Sequence, residues 1–329
     1  MAKPDGKLHR SWLLLACSFR IIAQNKRLLL FPLLSLCCAA GIAGIFMLAA
    51  ALISTGQSWT DPQHWRAIFN GMATQPAEFV RTVFEHSMGI FKRLADLDLN
   101  STTSKVAVYG YGAVFYLAMM VTATFWNVAF YHEILKALAG EKVSLGEGLK
   151  FASRRIRAIL LWSLFAGAVG LVIREVSQRF GVVGRLVLSF VGMAWSVSAV
   201  FVIPVMVREE SPNPITLLKN SAATLKKTWG ETLIGFVGIG FVNFGASAVV
   251  FGAIMLLLAG GVLALWLDYI ELMVVAFALL FLALVILGYV VAAASDVYRC
   301  ALYVYATEGV VPLPYTTDLM DAAWKVTKT

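Results

Sequence analysis

The chain has 329 residues, of which 60% are hydrophobic and 14% are charged, and its mean hydropathy is +0.78. A soluble globular domain carries about 25% charged residues, so this composition excludes an ordinary soluble protein and predicts a polytopic membrane protein. The formal net charge is +8. The Lys and Arg residues lie beside the ends of apolar runs, which favours a membrane topology over nucleic-acid binding.

Six apolar runs are predicted to cross the membrane as helices, because a spanning segment must satisfy its backbone hydrogen bonds internally. They cover residues 28–53, 106–139, 158–173, 186–207, 232–258 and 270–305. Pro32 lies in the first turn of the first span, where its missing N–H has no partner to lose. Gly140 is predicted to close the second span, and Pro204 to loosen the end of the fourth. Arg174 and Glu175 are predicted to end a short third span.

The turns on the outer side differ in length. Residues 54–105 form one long external segment, whereas the sequence RFGVVGR at residues 179–185 is predicted to be a short outer hairpin. Trp266 marks the last outer turn.

Three helices that precede spans combine an apolar face with basic residues, as expected of helices lying on the cytoplasmic leaflet. In the first, the apolar positions are Trp12, Leu15, Phe19 and Ile22. The second follows Ser144 and Glu147, which match a capping box. The third begins at Asn213 and Pro214, typical N-cap and first-turn residues. Its apolar face is predicted to contain Leu217, Leu218, Ala222 and Leu225.

We call these three helices elbow helices. Each leads into a pair of spans, which predicts a threefold internal helix–span–span repeat within one integral membrane domain, residues 1–329. The units are residues 1–139, with the external insertion 54–105, then 140–207 and 208–294, followed by a cytoplasmic extension, 295–329. The proposed inner segments hold 19 Lys and Arg residues and the outer segments 8. The positive-inside rule therefore places both termini in the cytoplasm.

Four stretches carry a family resemblance: residues 25–35 (NKRLLLFPLLS), 125–141 (FWNVAFYHEILKALAGE), 194–231 (from AWSVSAVF to LKKTWGE) and 301–320 (ALYVYATEGVVPLPYTTDLM). Through them the chain resembles a family of six-span bacterial inner-membrane proteins of unknown function. More distantly, it is similar to the membrane domain of some glycerophosphodiester phosphodiesterases. The resemblance implies a bacterial inner-membrane location and this topology, but it carries no catalytic residues, and the phosphodiesterase barrel is absent from this chain.

Two groups of side chains are candidate sites. Basic residues beside the spans are candidates for lipid headgroups, because Lys and Arg near an anionic leaflet attach a protein to it. They are Arg154, Arg155, Arg157, Lys219, Lys226 and Lys227. Polar residues within the spans are candidates because hydrocarbon penalises them unless they are paired. They are Asn127, Asn243, Asp296 and Arg299.

Each intramembrane candidate also has a structural interpretation. Asn127 and Asn243 either join helices by hydrogen bonds or line a polar path. Asp296 and Arg299, three residues apart, favour a local ion pair over a gate. His132 and Glu133 begin a zinc-protease motif that lacks its second His, which argues against a metal site. Cys17, Cys37, Cys38 and Cys300 have neither CxxC spacing nor His partners, so neither a disulfide nor a zinc framework is expected.

No GxSxG motif, phosphate-binding glycine loop or paired intramembrane carboxylates are found, so we expect no enzymatic activity and no cofactor. The sequence favours a membrane protein that binds or organises lipids, with membrane lipids as partners and no nucleic acid. A transporter or channel for a small solute or lipid is the alternative. Small residues one turn apart, such as Ala166 and Gly170, suit a compact bundle or a homo-oligomer equally.

Overall fold

The computed structural model describes residues 7–55, 102–179, 182–227, 270–317 and 319–320, together with the isolated positions 63, 66, 70 and 74. The secondary structure of these residues is helical, joined by short turns and loops, and they contain no strand. The helices are α1 (Lys7–Gln24), a 3₁₀ helix (Lys26–Leu29), α2 (Leu30–Thr55), α3 (Thr102–Leu138), α4 (Leu145–Arg154), α5 (Ile156–Arg179), α6 (Val182–Ser198), α7 (Val202–Arg208), α8 (Pro214–Lys227) and α9 (Ile270–Glu308).

Five segments in this described part of the chain are long and apolar enough to cross a membrane. They are Lys26–Met47, Tyr109–Leu138, Ile156–Ser177, Leu188–Arg208 and Leu282–Glu308. Between 11% and 33% of the apolar window in each is buried inside the protein, so most of their hydrophobic surface faces outward. These are the properties of an all-α, multi-pass membrane protein. The predicted fifth span (232–258) and nearly all of the external segment lie outside the described residues.

Several predicted helix boundaries agree with the structure. Pro32 lies in the first turn of α2, and Gly140 follows α3 with a φ of +79°, a left-handed conformation that favours glycine. Helix α9 ends at Glu308, close to the predicted end at residue 305. Gly309, which was not singled out from the sequence, follows it with a φ of +68°.

The predicted bounds of the outer hairpin, residues 179–185, are wrong. Helix α5 continues past Arg174 and Glu175 to Arg179, and α6 already begins at Val182. The third span is therefore longer than the sequence suggested. Charged side chains at the end of a span reach water while their backbone stays helical, so they do not terminate the helix.

The fourth span is interrupted between α6 and α7. Pro204 has no backbone N–H, and the chain forms turns at residues 199–201, just before it. Ser221 of α8 compensates: its hydroxyl donates to the carbonyl of Ser198 (2.6 Å) and accepts the N–H of Phe201 (3.0 Å). Ser221 is completely buried, so a side chain from another helix satisfies the interrupted backbone.

The chain divides into two compact units, the first formed by Met1–Leu33 and Thr124–Thr329. In this unit, α1 packs along α9 and buries Leu14, Leu15, Ser18, Ile21 and Ile22 at helical spacing. The Ser18 hydroxyl lies 2.8 Å from the hydroxyl of Tyr315, beyond α9. Burial raises the pKa of Tyr315 well above its ordinary value. Leu15 and Ile22, which were predicted to lie on the apolar face of a membrane-surface helix, therefore pack against protein.

The second unit comprises Leu34–Ala123. Within it, the later part of α2 and the first part of α3 are joined by aromatic contacts. The ring of Phe46 lies 5.3 Å from that of Tyr111 and 5.1 Å from that of Phe115, measured between centroids. The Tyr111 hydroxyl also donates a hydrogen bond to the carbonyl of Phe46.

Candidate functional site

A continuous exposed stripe, which we call the basic stripe, begins at Arg154, the last residue of α4, and continues along α5. Its members recur three or four residues apart, so those in α5 share one face of that helix. They are Arg154, Arg157, Leu161, Leu164, Ala168, Leu171 and Glu175. Leu161 is 45% exposed and Leu164 is 55% exposed, although both are large and apolar. From Arg157 to Arg174 the helix rises about 26 Å, close to the thickness of a bilayer's hydrocarbon core.

Arg155, at the junction of α4 and α5, has a different environment from its two basic neighbours. Its guanidinium lies 5.4 Å from the centroid of the Phe151 ring and 4.0 Å from the carboxylate of Glu210. Arg155 is half-buried, whereas Arg154 and Arg157 are exposed. The structure therefore separates one basic residue that contacts protein from two that face outward.

Helix α8 presents Lys219 and Lys226 on its exposed side, next to the exposed Ile215. Its opposite face buries Leu217, Ser221, Thr224 and Leu225, and α8 packs against α5, α6, α7 and α9. The predicted apolar face is therefore largely occupied by protein, with Leu217 and Leu225 buried, while Lys219, Lys226 and Ile215 remain exposed. Lys227 is the last residue of the helix; its side chain, like all of Asn243, lies outside the described part.

Asp296 and Arg299 form the ion pair that their spacing predicts, with 3.1 Å between Arg299 Nη1 and Asp296 Oδ1. Asp296 also accepts a hydrogen bond of 2.8 Å from the hydroxyl of Tyr131 on α3. The pair thus connects α9 with α3, which the sequence did not predict. A second polar contact, 3.0 Å between the hydroxyls of Ser163 and Thr124, joins α5 to α3. Asn127, one turn beyond Thr124, is exposed.

A cleft of about 500 Å³ lies where the ends of α3 and α7 meet α4. Its wall includes three aliphatic side chains, Leu135, Ala139 and Val207. Its remaining lining is polar or aromatic: His132, Lys136, Glu141, Glu147, Phe151 and Arg208. The imidazole of His132 stacks on the ring of Phe151, with 3.9 Å between centroids and 7° between planes. This stack gives the cleft one flat, fixed wall.

Glu133 lies behind the cleft and fixes the start of α4. Its side chain is completely buried, and its Oε2 accepts a 2.7 Å hydrogen bond from the backbone N–H of Ser144, the N-cap residue. The predicted capping box is therefore wrong. The side chain of Ser144 makes no capping hydrogen bond, and Glu147 does not accept the backbone N–H of Ser144. A glutamate from the preceding helix has taken that role.

Glu147 instead accepts a hydrogen bond from the Lys136 ammonium, eleven residues earlier and on the other side of the Gly140 turn. This partner holds the pKa of the Glu147 carboxyl below its usual range. Lys136 Nζ is also 3.9 Å from Glu133 Oε1, so the lysine lies between a buried carboxylate and an exposed one. At the far side of the cleft, Arg208 pairs with Glu308 at 2.8 Å.

Residues 106–312 match the model of a family of unknown function, DUF6159. The chain belongs to this family. No curated protein and no solved structure matches it. The DUF6159 match includes α4 to α9 and nearly all of α3, so the cleft, the basic stripe and Asp296 all lie within the family region. Helices α1 and α2 precede it.

The sequence singled out His132 and Glu133 only as an incomplete metal motif and did not connect them with Lys136, Ser144 or Arg208. Helical periodicity reports which residues share a face, but not which two helices meet. One signal was present: the pairs 133–144 and 136–147 have the same separation of eleven across Gly140. A helical hairpin that turns at this glycine brings both pairs together.

Proposed function

We propose that this protein is a non-enzymatic membrane protein that binds and organises anionic lipids through its basic helix junctions. In this proposal it is a bacterial inner-membrane protein with six spans, three cytoplasmic elbow helices related by an internal repeat, and cytoplasmic termini. The single observation that carries the proposal is the basic stripe, in which exposed Arg154 and Arg157, at the junction of α4 and α5, are followed by exposed leucines along α5.

The stripe supports lipid binding because its order matches the order of chemical environments in a leaflet. Arg157 precedes Leu160 and Leu161 by three and four residues, so the cation and the apolar side chains share a face. Exposed leucines suit hydrocarbon, and the arginine then lies at the level of the headgroup phosphates. Arg157 is exposed, so its guanidinium can reach a headgroup at the surface.

The lysines of α8 support the same interpretation. Lys219 and Lys226 are exposed, while the apolar face of their helix is packed against protein. They therefore contribute charge but little hydrophobic insertion. Attraction between these lysines and anionic lipid headgroups is screened by salt, which distinguishes it from insertion of apolar side chains.

The experiment measures binding of phosphatidylglycerol to the full chain in nanodiscs. Four residues are neutralised together: Arg154→Gln, Arg157→Gln, Lys219→Gln and Lys226→Gln. We expect each lost charge to weaken binding about fivefold at low salt. The matched control exchanges the same residues for the other basic type, Arg→Lys and Lys→Arg, and should bind like the wild type. Equal affinity of the neutralised variant and the wild type would contradict the proposal.

A further inference from the structure

The cleft lined by His132, Lys136, Glu141, Glu147 and Arg208 lies at the ends of two candidate spans. His132 and Lys136 fall in the last two turns of Tyr109–Leu138, and Val207 and Arg208 are the last residues of Leu188–Arg208. The end of an apolar span coincides with the level of the lipid headgroups. We therefore expect the cleft to lie at the depth of the headgroups, and its volume of about 500 Å³ is within the usual range for ligand sites.

Both signs of charge line this cleft. Lys136 and Arg208 supply cations, and Glu141 and Glu147 supply carboxylates. Each cation already has an anionic partner, Glu147 for Lys136 and Glu308 for Arg208. A ligand that carries only negative charge meets these carboxylates and is repelled. A ligand that carries a phosphate and an ammonium group finds a partner for each.

The position of Lys136 allows its partners to change. The side chain of Glu147 is 63% exposed, whereas that of Lys136 is 17% exposed and that of Glu133 is fully buried. Glu133 Oε1 has no hydrogen-bond partner within the described residues and lies 3.9 Å from Lys136 Nζ. If Glu147 turns toward a ligand ammonium, Lys136 keeps the buried carboxylate as a counter-ion and is free to contact the phosphate.

We propose that this cleft binds the headgroup of a zwitterionic aminophospholipid, with the phosphate on Lys136 and Arg208 and the ammonium on Glu147 and Glu141. The stacked His132 and Phe151 form the wall beside the headgroup. This inference rests on the proposed function, since it requires a membrane protein that binds lipids, but it uses a different site from the basic stripe and a different lipid class.

The test titrates the full chain in detergent with phosphatidylethanolamine and, separately, with phosphatidylglycerol, and counts bound lipids by native mass spectrometry. Arg208→Gln should lower the phosphatidylethanolamine affinity about tenfold, because it removes a charge-assisted contact to the phosphate. Glu147→Gln should lower that affinity and raise the affinity for phosphatidylglycerol, because a rim carboxylate is lost. Misfolding would lower the affinity for both lipids, so it does not explain opposite effects on the two.

Two control variants separate this site from others. Glu210→Gln neutralises an exposed carboxylate outside the cleft and should change neither affinity. Arg157→Gln should weaken phosphatidylglycerol binding alone. If Arg157→Gln has no effect while Glu147→Gln acts as expected, lipid binding by the basic stripe is contradicted and lipid binding by the cleft is supported. If Arg157→Gln weakens phosphatidylglycerol binding while Glu147→Gln has no effect, only the proposal for the cleft is overturned.

Unchanged phosphatidylethanolamine affinity in both Arg208→Gln and Glu147→Gln would overturn the proposal. A final arm adds soluble phosphoethanolamine as competitor. Weak competition, at millimolar concentration, supports a lipid held by its acyl chains as well as its headgroup. Displacement at micromolar concentration would instead identify a soluble phosphoamine as the ligand and overturn the lipid assignment.

Discussion

The carboxylate of Glu133 accepts a 2.7 Å hydrogen bond from the backbone N–H of Ser144, and this contact fixes the turn between α3 and α4. The glutamate is completely buried, so no water replaces the bond if it is lost. The cleft is lined by residues on both sides of this turn, and the basic stripe begins at the other end of α4, so the positions of both depend on this contact.

Replacing Glu133 tests that dependence. Glu133→Ala leaves the Ser144 N–H without its acceptor and should lower the free energy of unfolding by about 1–3 kcal/mol. Glu133→Gln keeps an oxygen for the N–H and removes a buried charge, so it should retain near wild-type stability. Thermal unfolding in detergent, followed by size-exclusion fluorescence, measures both. Equal losses in the two variants would show that the charge of Glu133 matters rather than its acceptor oxygen.

Gly148 provides a packing test in the same region. A Cβ at this position would lie 2.9 Å from Phe31 Cε1 and 3.0 Å from Glu133 Cγ, closer than real contacts allow. Gly148→Ala should therefore destabilise the protein by about 1–3 kcal/mol. At Gly146, two residues earlier in α4, a Cβ would meet no neighbouring side chain within 4 Å. Gly146→Ala should be neutral or slightly stabilising, because alanine favours helix. If thermal unfolding shows that Gly148→Ala behaves like Gly146→Ala, the close packing is not present.

The hydroxyl of Ser221 makes two hydrogen bonds to the interrupted backbone between α6 and α7. Ser221→Ala should cost about 1–3 kcal/mol, because the buried N–H of Phe201 and the half-buried carbonyl of Ser198 lose their partner. Ser153→Ala is the control, since Ser153 is exposed and bonds only to the carbonyl of Leu149 in its own helix. A Ser221→Ala melting temperature equal to that of the control would mean that the break between the helices is stabilised in some other way.

The hydrogen bond from Tyr131 to Asp296 joins α3 to α9 and can be measured with a double-mutant cycle. Tyr131→Phe and Asp296→Asn should each destabilise the protein, and together they should be less than additive, with a coupling of about 0.5–3 kcal/mol. Ser295→Ala serves as a comparison, because the Ser295 hydroxyl bonds to the carbonyl of Val291 within α9. Strict additivity of Tyr131→Phe and Asp296→Asn would contradict an interaction between the two side chains.

Sequence patterns predicted the helices well where backbone chemistry alone decides. The end of α3 follows from Gly140, which adopts a positive φ, and the long apolar runs follow from the need to satisfy backbone hydrogen bonds in lipid. The ends of α5 and α6 were predicted less well. Arg174 and Arg179 are charged but do not break a helix. The span predicted from hydropathy therefore ends at residue 173, before the observed helix ends at Arg179.

Helical periodicity could not predict which helices contact each other. The sequence at Ser144 and Glu147 matches a capping box, but the N–H of Ser144 donates to Glu133 instead. In the sequence, Ser221 is only one polar residue of an amphipathic helix. Its two hydrogen-bond partners depend on the break in the neighbouring helix at residues 199–201. Leu15 and Ile22 matched a surface helix, yet they pack against protein because α9 lies beside α1. Each of these outcomes depends on which helices are neighbours.

The most direct test of lipid organisation is the lipid that accompanies the protein out of its membrane. The full chain is extracted in polymer-bounded discs without detergent, and the ratio of anionic to zwitterionic phospholipid is compared with that of the whole membrane. We predict enrichment of anionic lipid around the wild type. That enrichment should be lost when Arg154, Arg157, Lys219 and Lys226 are changed to Gln, and kept in the charge-conserving control. The same lipid ratio around wild type and neutralised variant would contradict the account.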